Sequence, residues 1–203
     1  MLDEIGQAHM QQGNFTSFTN DRFGCLNSAL NLNGGWTQIP DGIYFNSQAF
    51  TISVWVYPRQ VGLRARVLDF GSGKPLDNIV LALDFYSDLK PYTQILNRAS
   101  LFSSKKLALE AWSLLVSTFN GTLLNIYING TLESSQKISF YALPLVNRTR
   151  NYIGKSNANS DVNNLNNDGF SWSYLDDLRL YSKSLNQTEI NELMNEPQID
   201  KGK

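Results

Sequence analysis

Residues 50–57 read Phe-Thr-Ile-Ser-Val-Trp-Val-Tyr and stop at Pro58. Side chains that alternate with period two mark a strand, whose successive residues point to opposite faces. Phe50, Ile52, Val54 and Val56 share one parity and are assigned to a core. The same short pattern recurs over 28–32, 65–70, 78–86, 112–119, 123–128, 132–140, 150–154 and 170–181, punctuated by Gly, Asn, Asp and Pro. Asn120-Gly121 and Asn129-Gly130 join three of these segments in succession. Both central residues of a type I′ turn need positive φ, which Asn tolerates and Gly takes freely, so each dipeptide predicts a tight hairpin. Two hairpins sharing a strand make an antiparallel meander. Trp55 and Tyr57 add apolar side chains on the opposite parity of 50–57, so the second face of that strand is expected to be partly covered or used.

One helix is expected near the end. Asn186 can cap it, Glu189 stands at the third position, and Ile190, Leu193 and Met194 form an apolar stripe before Pro197. Many strands with one terminal helix predict an all-β antiparallel sandwich or barrel. No repeat or composition shift marks a linker, so 1–203 reads as a single domain, with 1–20 and 198–203 peripheral. The stretch 157–168, rich in Asn and Asp, reads as a long surface loop.

Composition removes several classes of function. Hydrophobic residues make up 42% and charged residues 17% of the 203, enough apolar side chain for a packed core. Lys plus Arg number 17 against 18 Asp plus Glu, a net charge of -1 that gives no electrostatic footprint for nucleic acid or an anionic membrane. No apolar run approaches the ~18 residues of a membrane span, so no membrane insertion is expected. The first residues lack the basic and apolar regions of a signal peptide, so no secretory leader is expected within them. Cys25 cannot close an internal disulfide, and His9 cannot build a multi-histidine zinc site.

Three blocks of sequence resemble the laminin-G-like members of the concanavalin A-like lectin and glucanase superfamily. Residues 28–34 (Ser-Ala-Leu-Asn-Leu-Asn-Gly) and 50–58 resemble that family's opening strands. Residues 112–130 resemble its tryptophan-led strand followed by a Tyr-x-Asn-Gly hairpin. Tyr152-Ile153-Gly154, then 174–181, then 185–193 resemble its closing strand and short helix. The resemblance implies a two-sheet antiparallel jelly-roll sandwich with one short C-terminal helix. It implies an extracellular or cell-surface module that binds a glycan or an extracellular protein, often with a structural calcium.

The family hosts lectins, adhesion modules and glycosidases, so residues must decide among them. Its glucanases share a Glu-x-Asp-x-Glu run, and retaining hydrolysis needs two carboxylates ~5–5.5 Å apart. No such run occurs here. Asp176 and Asp177 are adjacent and, on a regular strand, face opposite ways. Asp84 and Asp88 straddle a strand end. No Gly-x-Ser-x-Gly element accompanies His9, and Gly71-Ser72-Gly73-Lys74 lacks the spacing of a phosphate loop. Cys25 reads as a small buried apolar residue, with a reactive thiol or a disulfide to a segment outside this sequence as the alternatives. The expectation is a non-catalytic binding module; a purely structural module and an ancillary carbohydrate-binding domain of a glycosidase remain open.

Aromatic platforms bind sugars by stacking on their apolar faces. Trp55, Trp112 and Trp172 are expected to pack inside, whereas Trp36, beside Gly34-Gly35 at an expected turn, is the candidate platform. Asn157, Asp161 and Asp168 in the polar loop complete the candidate ligand-binding set. Lys105, Lys106, Arg148 and Arg150 could form a basic spot for acidic glycans or stand as ordinary solvated charges. Sequons occur at Asn14, Asn120, Asn129, Asn147 and Asn186, no excess over what the Asn, Ser and Thr content predicts.

Parity suggests a metal. Phe170, Trp172, Tyr174, Asp176, Leu178 and Leu180 share one face of a regular strand, which sets the Asp176 carboxylate in an apolar stripe. A calcium ion would remove the cost of burying it, and the resemblance points to a site joining the closing strand to the turn after the opening one, here Asn33. The alternatives are a carboxylate satisfied by Arg179 or backbone amides, and a bulge that turns it to solvent.

Overall fold

A computed structural model describes residues 9–11, 13–73, 77–139, 142–157 and 169–197. The chain forms β1 (Asn14–Thr19), β2 (Ala29–Ile39), β3 (Phe50–Pro58), β4 (Arg66–Gly71), β5 (Ile79–Ala82) and β6 (Tyr92–Ile95). Then follow β7 (Ala99–Phe102), β8 (Ser113–Phe119), β9 (Leu123–Ile128), β10 (Thr131–Lys137), β11 (Arg150–Ile153), β12 (Ser171–Tyr181) and the helix α1 (Gln187–Met194). Every pairing between strands is antiparallel.

Two sheets share one strand. Sheet I runs β10-β9-β8-β3-β12-β2, with β1 beyond β2, and sheet II runs β2-β11-β4-β5-β6-β7. The first half of β2 pairs with β12 and its last residues pair with β11. Ile52, Val54, Val56, Leu115 and Ile126 of sheet I pack against Leu68, Phe70, Ile79, Leu81 and Ile95 of sheet II in one core. Between the layers Ser117 Oγ donates to Thr93 Oγ1 at 3.0 Å, which satisfies two buried hydroxyls. The expected jelly-roll sandwich is what the chain forms.

The shared strand exists because of two glycines. Gly34 has φ +68, and a Cβ there would stand 2.6 Å from the Trp172 indole. The segment expected to turn at Gly34-Gly35 therefore bends and continues as strand, carrying Trp36 from sheet I into sheet II. Gly154 (φ +89) lets β11 end against the carbonyl of Gly35.

Of the two Asn-Gly hairpins, the second is the two-residue turn expected, with Asn129 at φ 49 and Gly130 at φ 76 between partners Ile128 and Thr131. The first is longer. Phe119 pairs with Leu124, and Asn120 stays at negative φ because its Oδ1 accepts from Thr122 and Leu123 backbone amides. The helix has the expected capping box, Asn186 accepting from Glu189 N while Glu189 accepts from Asn186 N. It lies on the outer face of sheet I, where Ile190 and Leu193 pack on Leu114, Val116, Tyr127 and Trp55. That covers half of the second face of β3, as its double apolar parity required.

Residues 14–19 are not peripheral: β1 is the edge strand of sheet I. Cys25 is half-buried rather than buried, in a turn where Asp21 Oδ1 accepts from its amide. Residues 1–8 and 198–203 lie outside the described residues.

Candidate functional site

Sheet II turns a second face outward. Cross-strand registers carry one row across it, Gln38–Tyr152–Asp69–Val80–Gln94–Ser100, and a second row, Arg66–Ala82–Tyr92–Phe102. Residues in such rows are side-chain neighbours, so the pairing places polar and aromatic groups next to one another. Gln94 Nε2 donates to Ser100 Oγ at 2.9 Å, and Gln94 Oε1 accepts from Asn78 Nδ2 at 3.0 Å.

An aromatic cluster closes one end. Tyr92 and Phe102 stack at 5.5 Å, Tyr86 stacks on Phe102 at 6.0 Å, and Phe85 meets all three rings edge-on. Tyr86 is 69% exposed. The guanidinium of Arg64 lies over Phe85 at 4.7 Å, and that of Arg66 over Tyr92 at 5.3 Å. The turn that carries Phe85 and Tyr86 is held from inside, since buried Asp84 accepts from the amides of Asp88 and Leu89.

The opposite end holds Trp36. Its ring meets Tyr152 edge-on at 5.4 Å, and the Lys155 ammonium sits 3.9 Å from the Trp36 centroid and 4.0 Å from that of Tyr152. Burial, with Arg150 nearby, lowers the Lys155 pKa to about 8. In the middle, Asp69 accepts from Arg66 Nε at 3.3 Å, from Asn157 N at 3.2 Å and from Asn157 Nδ2. Desolvation is the larger influence on Asp69 and raises its pKa despite those donors. Trp36 Nε1 and Tyr92 Oη are buried with no hydrogen-bond partner among the described residues.

Of the expected ligand-binding residues, Trp36 is half-buried against Tyr152 and Lys155, and Asn157 is buried against Asp69. Asp161 and Asp168 lie outside the described residues. The described residues that flank them are tied to this sheet: Asn157 to Asp69, and Gly169 to Leu63 and Arg66 through backbone bonds. The expected basic spot does not form. Arg148 is fully buried, donating to the carbonyls of Asp77 and Tyr44, and Lys105 pairs with Glu133 on another part of the surface. Arg150 instead joins Lys155.

The two residues expected to share calcium are separated. In register Asn33 faces Trp172, whereas Asp176 faces Trp55, four positions further along β12 and therefore ~13 Å away. Arg59 Nη2 donates to Asn33 Oδ1 at 3.1 Å, and Arg22 Nη1 donates to Asp176 Oδ2 at 2.5 Å. A guanidinium already supplies the positive charge that Asp176 requires, so these residues do not fit one shared ion. A bulge at Asp177 (φ 47) also breaks the parity assumed for 170–180, and brings the Asp177 carboxylate to the same Arg22 nitrogen at 2.7 Å. Among the described residues no group of three or more His, Cys, Asp and Glu is placed to hold a metal.

A family model for the concanavalin A-like lectin/glucanases superfamily, the third laminin-G type, matches residues 31–191. The chain belongs to this family. No curated protein matches this concanavalin A-like module. Its fold is similar to domain 4 of AbnA, a GH43 extracellular arabinanase from Geobacillus stearothermophilus solved with arabinotriose (TM-score 0.70, 20% identity, 94% of this chain and 89% of that one). It is similar to the binding domain of Paraclostridial Mosquitocidal Protein 1 (0.68, 16%, 93% and 47%). It also resembles the botulinum neurotoxin serotype G binding domain (0.64, 18%, 95% and 47%). The module spans about half the length of each toxin domain. At these identities the likeness is one of fold.

Proposed function

We propose that the module is a non-catalytic, extracellular or cell-surface binding domain that recognises a glycan through the outer face of sheet II. The observation that carries this reading is the exposed aromatic cluster around Tyr86 and Phe102, set beside Gln94, Ser100 and the guanidinium-capped rings on one sheet face. Sugars present apolar C–H faces and polar edges, and rings flanked by amides and hydroxyls complement both. The opposite sheet is differently arranged, because α1 covers part of its outer face. The five sequon asparagines are all exposed, and none lies on β4 to β7 or β11; Asn14 faces Trp36 in register, so a glycan there would stand beside the Trp36 end of the face and leave the aromatic cluster open.

The carboxylates argue against hydrolysis. Asp69 is committed to Arg66 and Asn157, and Asp176 and Asp177 to Arg22, so neither site offers a free acid beside a free nucleophile. The arabinanase domain was solved with arabinotriose, which makes neutral pentose oligomers the first probes. A glycan array with competition by free oligosaccharide tests the reading. Reproducible, competable binding that weakens on Phe102→Ala supports it. Silence on the array, together with capture of a protein partner through the exposed Phe15, Phe18 and Leu26 of the N-terminal edge, would support a scaffolding module instead.

A further inference from the structure

We propose that the Arg150–Lys155 corner of this face binds the carboxylate of an acidic saccharide, a uronic acid or another carboxylated sugar; this rests on the glycan reading above. Lys155 is 1% exposed, and its ammonium is held between the rings of Trp36 and Tyr152. Neither Lys155 nor Arg150 forms an ion pair with a described residue. The aromatic faces offset part of the cost of burying an ammonium, but a buried charge without a counter-ion remains unfavourable. Arg150 makes matters worse, being a second cation close enough to disfavour the charged form of Lys155.

Among the described residues, the carboxylate that faces this corner in register is already engaged. Asp69 faces Tyr152 across the β4–β11 pairing, yet its oxygens accept from Arg66 and Asn157. Arg150 Nη1 donates to the Asn157 carbonyl at 3.2 Å, which orients the guanidinium, and its other donors meet no acceptor among the described residues. Arg150 and Tyr152 are both half-buried and thus reachable from solvent, with the Lys155 charge lodged beneath. A planar carboxylate suits a guanidinium, and the sugar ring that bears it would lie against Tyr152 and Trp36, whose Nε1 has no partner. An anion there would relieve the like-charge repulsion.

The test is calorimetric titration of the intact chain with oligogalacturonate and, in parallel, with neutral arabino-oligosaccharide, at 150 mM salt. At pH 7 the acidic oligomer is expected to bind on the order of tenfold more tightly. Arg150→Gln and Lys155→Met should each lower the affinity for the acidic oligomer to that for the neutral one, and Lys105→Gln, beside Glu133 on another part of the surface, should leave both affinities unchanged. Thermal melts establish that each variant is folded; Arg150→Gln carries the test should Lys155→Met not fold. The preference should also decline between pH 7 and 9.5 in the wild type, because an anion favours the protonated lysine that rising pH removes. Equal affinity for both sugars, or a preference that survives Arg150→Gln, overturns the acidic subsite while the glycan reading stands. A sulfated but uncarboxylated oligomer binding equally well assigns the corner to anions in general and overturns the carboxylate assignment. Binding of no sugar at all overturns both.

Discussion

Arg22 and Asp176 lie 154 positions apart in sequence, and Nη1 of one is 2.5 Å from Oδ2 of the other. Both side chains are nearly buried, at 9% and 3% exposure, and the guanidinium also covers the Trp55 ring at 4.8 Å. Arg22 thus ties the turn after β1 to the bulge in β12. Replacing it with Met leaves the buried Asp176 carboxylate without its cation, while half-buried Asp177 keeps Arg179 at 3.7 Å. Removing one partner of a buried pair costs about 3–5 kcal/mol, and chemical denaturation of Arg22→Met should show a loss of that size. Burial and Asp177 raise the Asp176 pKa, with Arg22 opposing them. Without Arg22 the folded-state pKa rises further, and the variant's deficit should shrink as pH falls, since a protonated Asp176 needs no counter-charge. A deficit that is constant from pH 7 to 4 would show that Arg22 acts through packing alone.

The same pair governs the response to calcium. With a guanidinium on Asp176, and Asn33 on a different part of β2, a calcium-dependent gain in stability cannot depend on these two residues together. A specific site at ~100 times its dissociation constant adds ~2.7 kcal/mol, which a thermal melt resolves. Any shift between millimolar calcium and chelator should be the same in the wild type and in Asn33→Ala. A shift abolished by Asn33→Ala would restore that residue as a ligand.

How far the sequence could be read depended on whether a signal was local. Alternation over 50–57, the Asn129-Gly130 turn and the Asn186–Glu189 box each lie within a few residues, and each formed as expected. β6 reads Tyr-Thr-Gln-Ile, in which the apolar residues do not alternate, and β1 carries exposed Phe15 and Phe18, which obscure its pattern. Parity rightly set Asp176 on a buried face, but it assumed a regular strand beyond that residue and could not name the cation. A single residue at positive φ reversed the faces after it, and a partner 154 positions away cannot be read from spacing. Trp36 and Asn157 could be singled out as residue types. Their convergence with Lys155 and Asp69 required the registers of β2, β11 and β4.

Lys155 makes a prediction about stability at alkaline pH. Its folded-state pKa, about 8, lies below the ordinary value of 10.5, so between those limits the unfolded chain binds more protons. Stability rises with pH wherever that holds. The Lys155 contribution should therefore be least favourable below pH 8 and improve as pH climbs towards 10.5. Urea denaturation of the wild type and Lys155→Met at pH 7, 8.5 and 10 checks the sign: the variant should lack this rise. Curves of equal slope would mean that the ammonium is solvated.

Tyr86 separates binding from folding. It is 69% exposed, its ring stacks on Phe102, and its removal uncovers little buried surface. Substitutions at such positions change stability by about 0.5 kcal/mol or less, so Tyr86→Ala should melt close to the wild type. If the aromatic cluster is the platform for a sugar ring, the same change should weaken glycan binding on the order of tenfold, equivalent to ~1.4 kcal/mol. Phe102 is a different case, because it packs on Tyr92 and Phe85 as well, and Phe102→Ala should lower both stability and affinity. The contrast matters more than either result alone. A Tyr86→Ala protein that binds glycans normally would assign the cluster to packing of the β5–β6 connection, and recognition would then have to rest on the Trp36 end of the face.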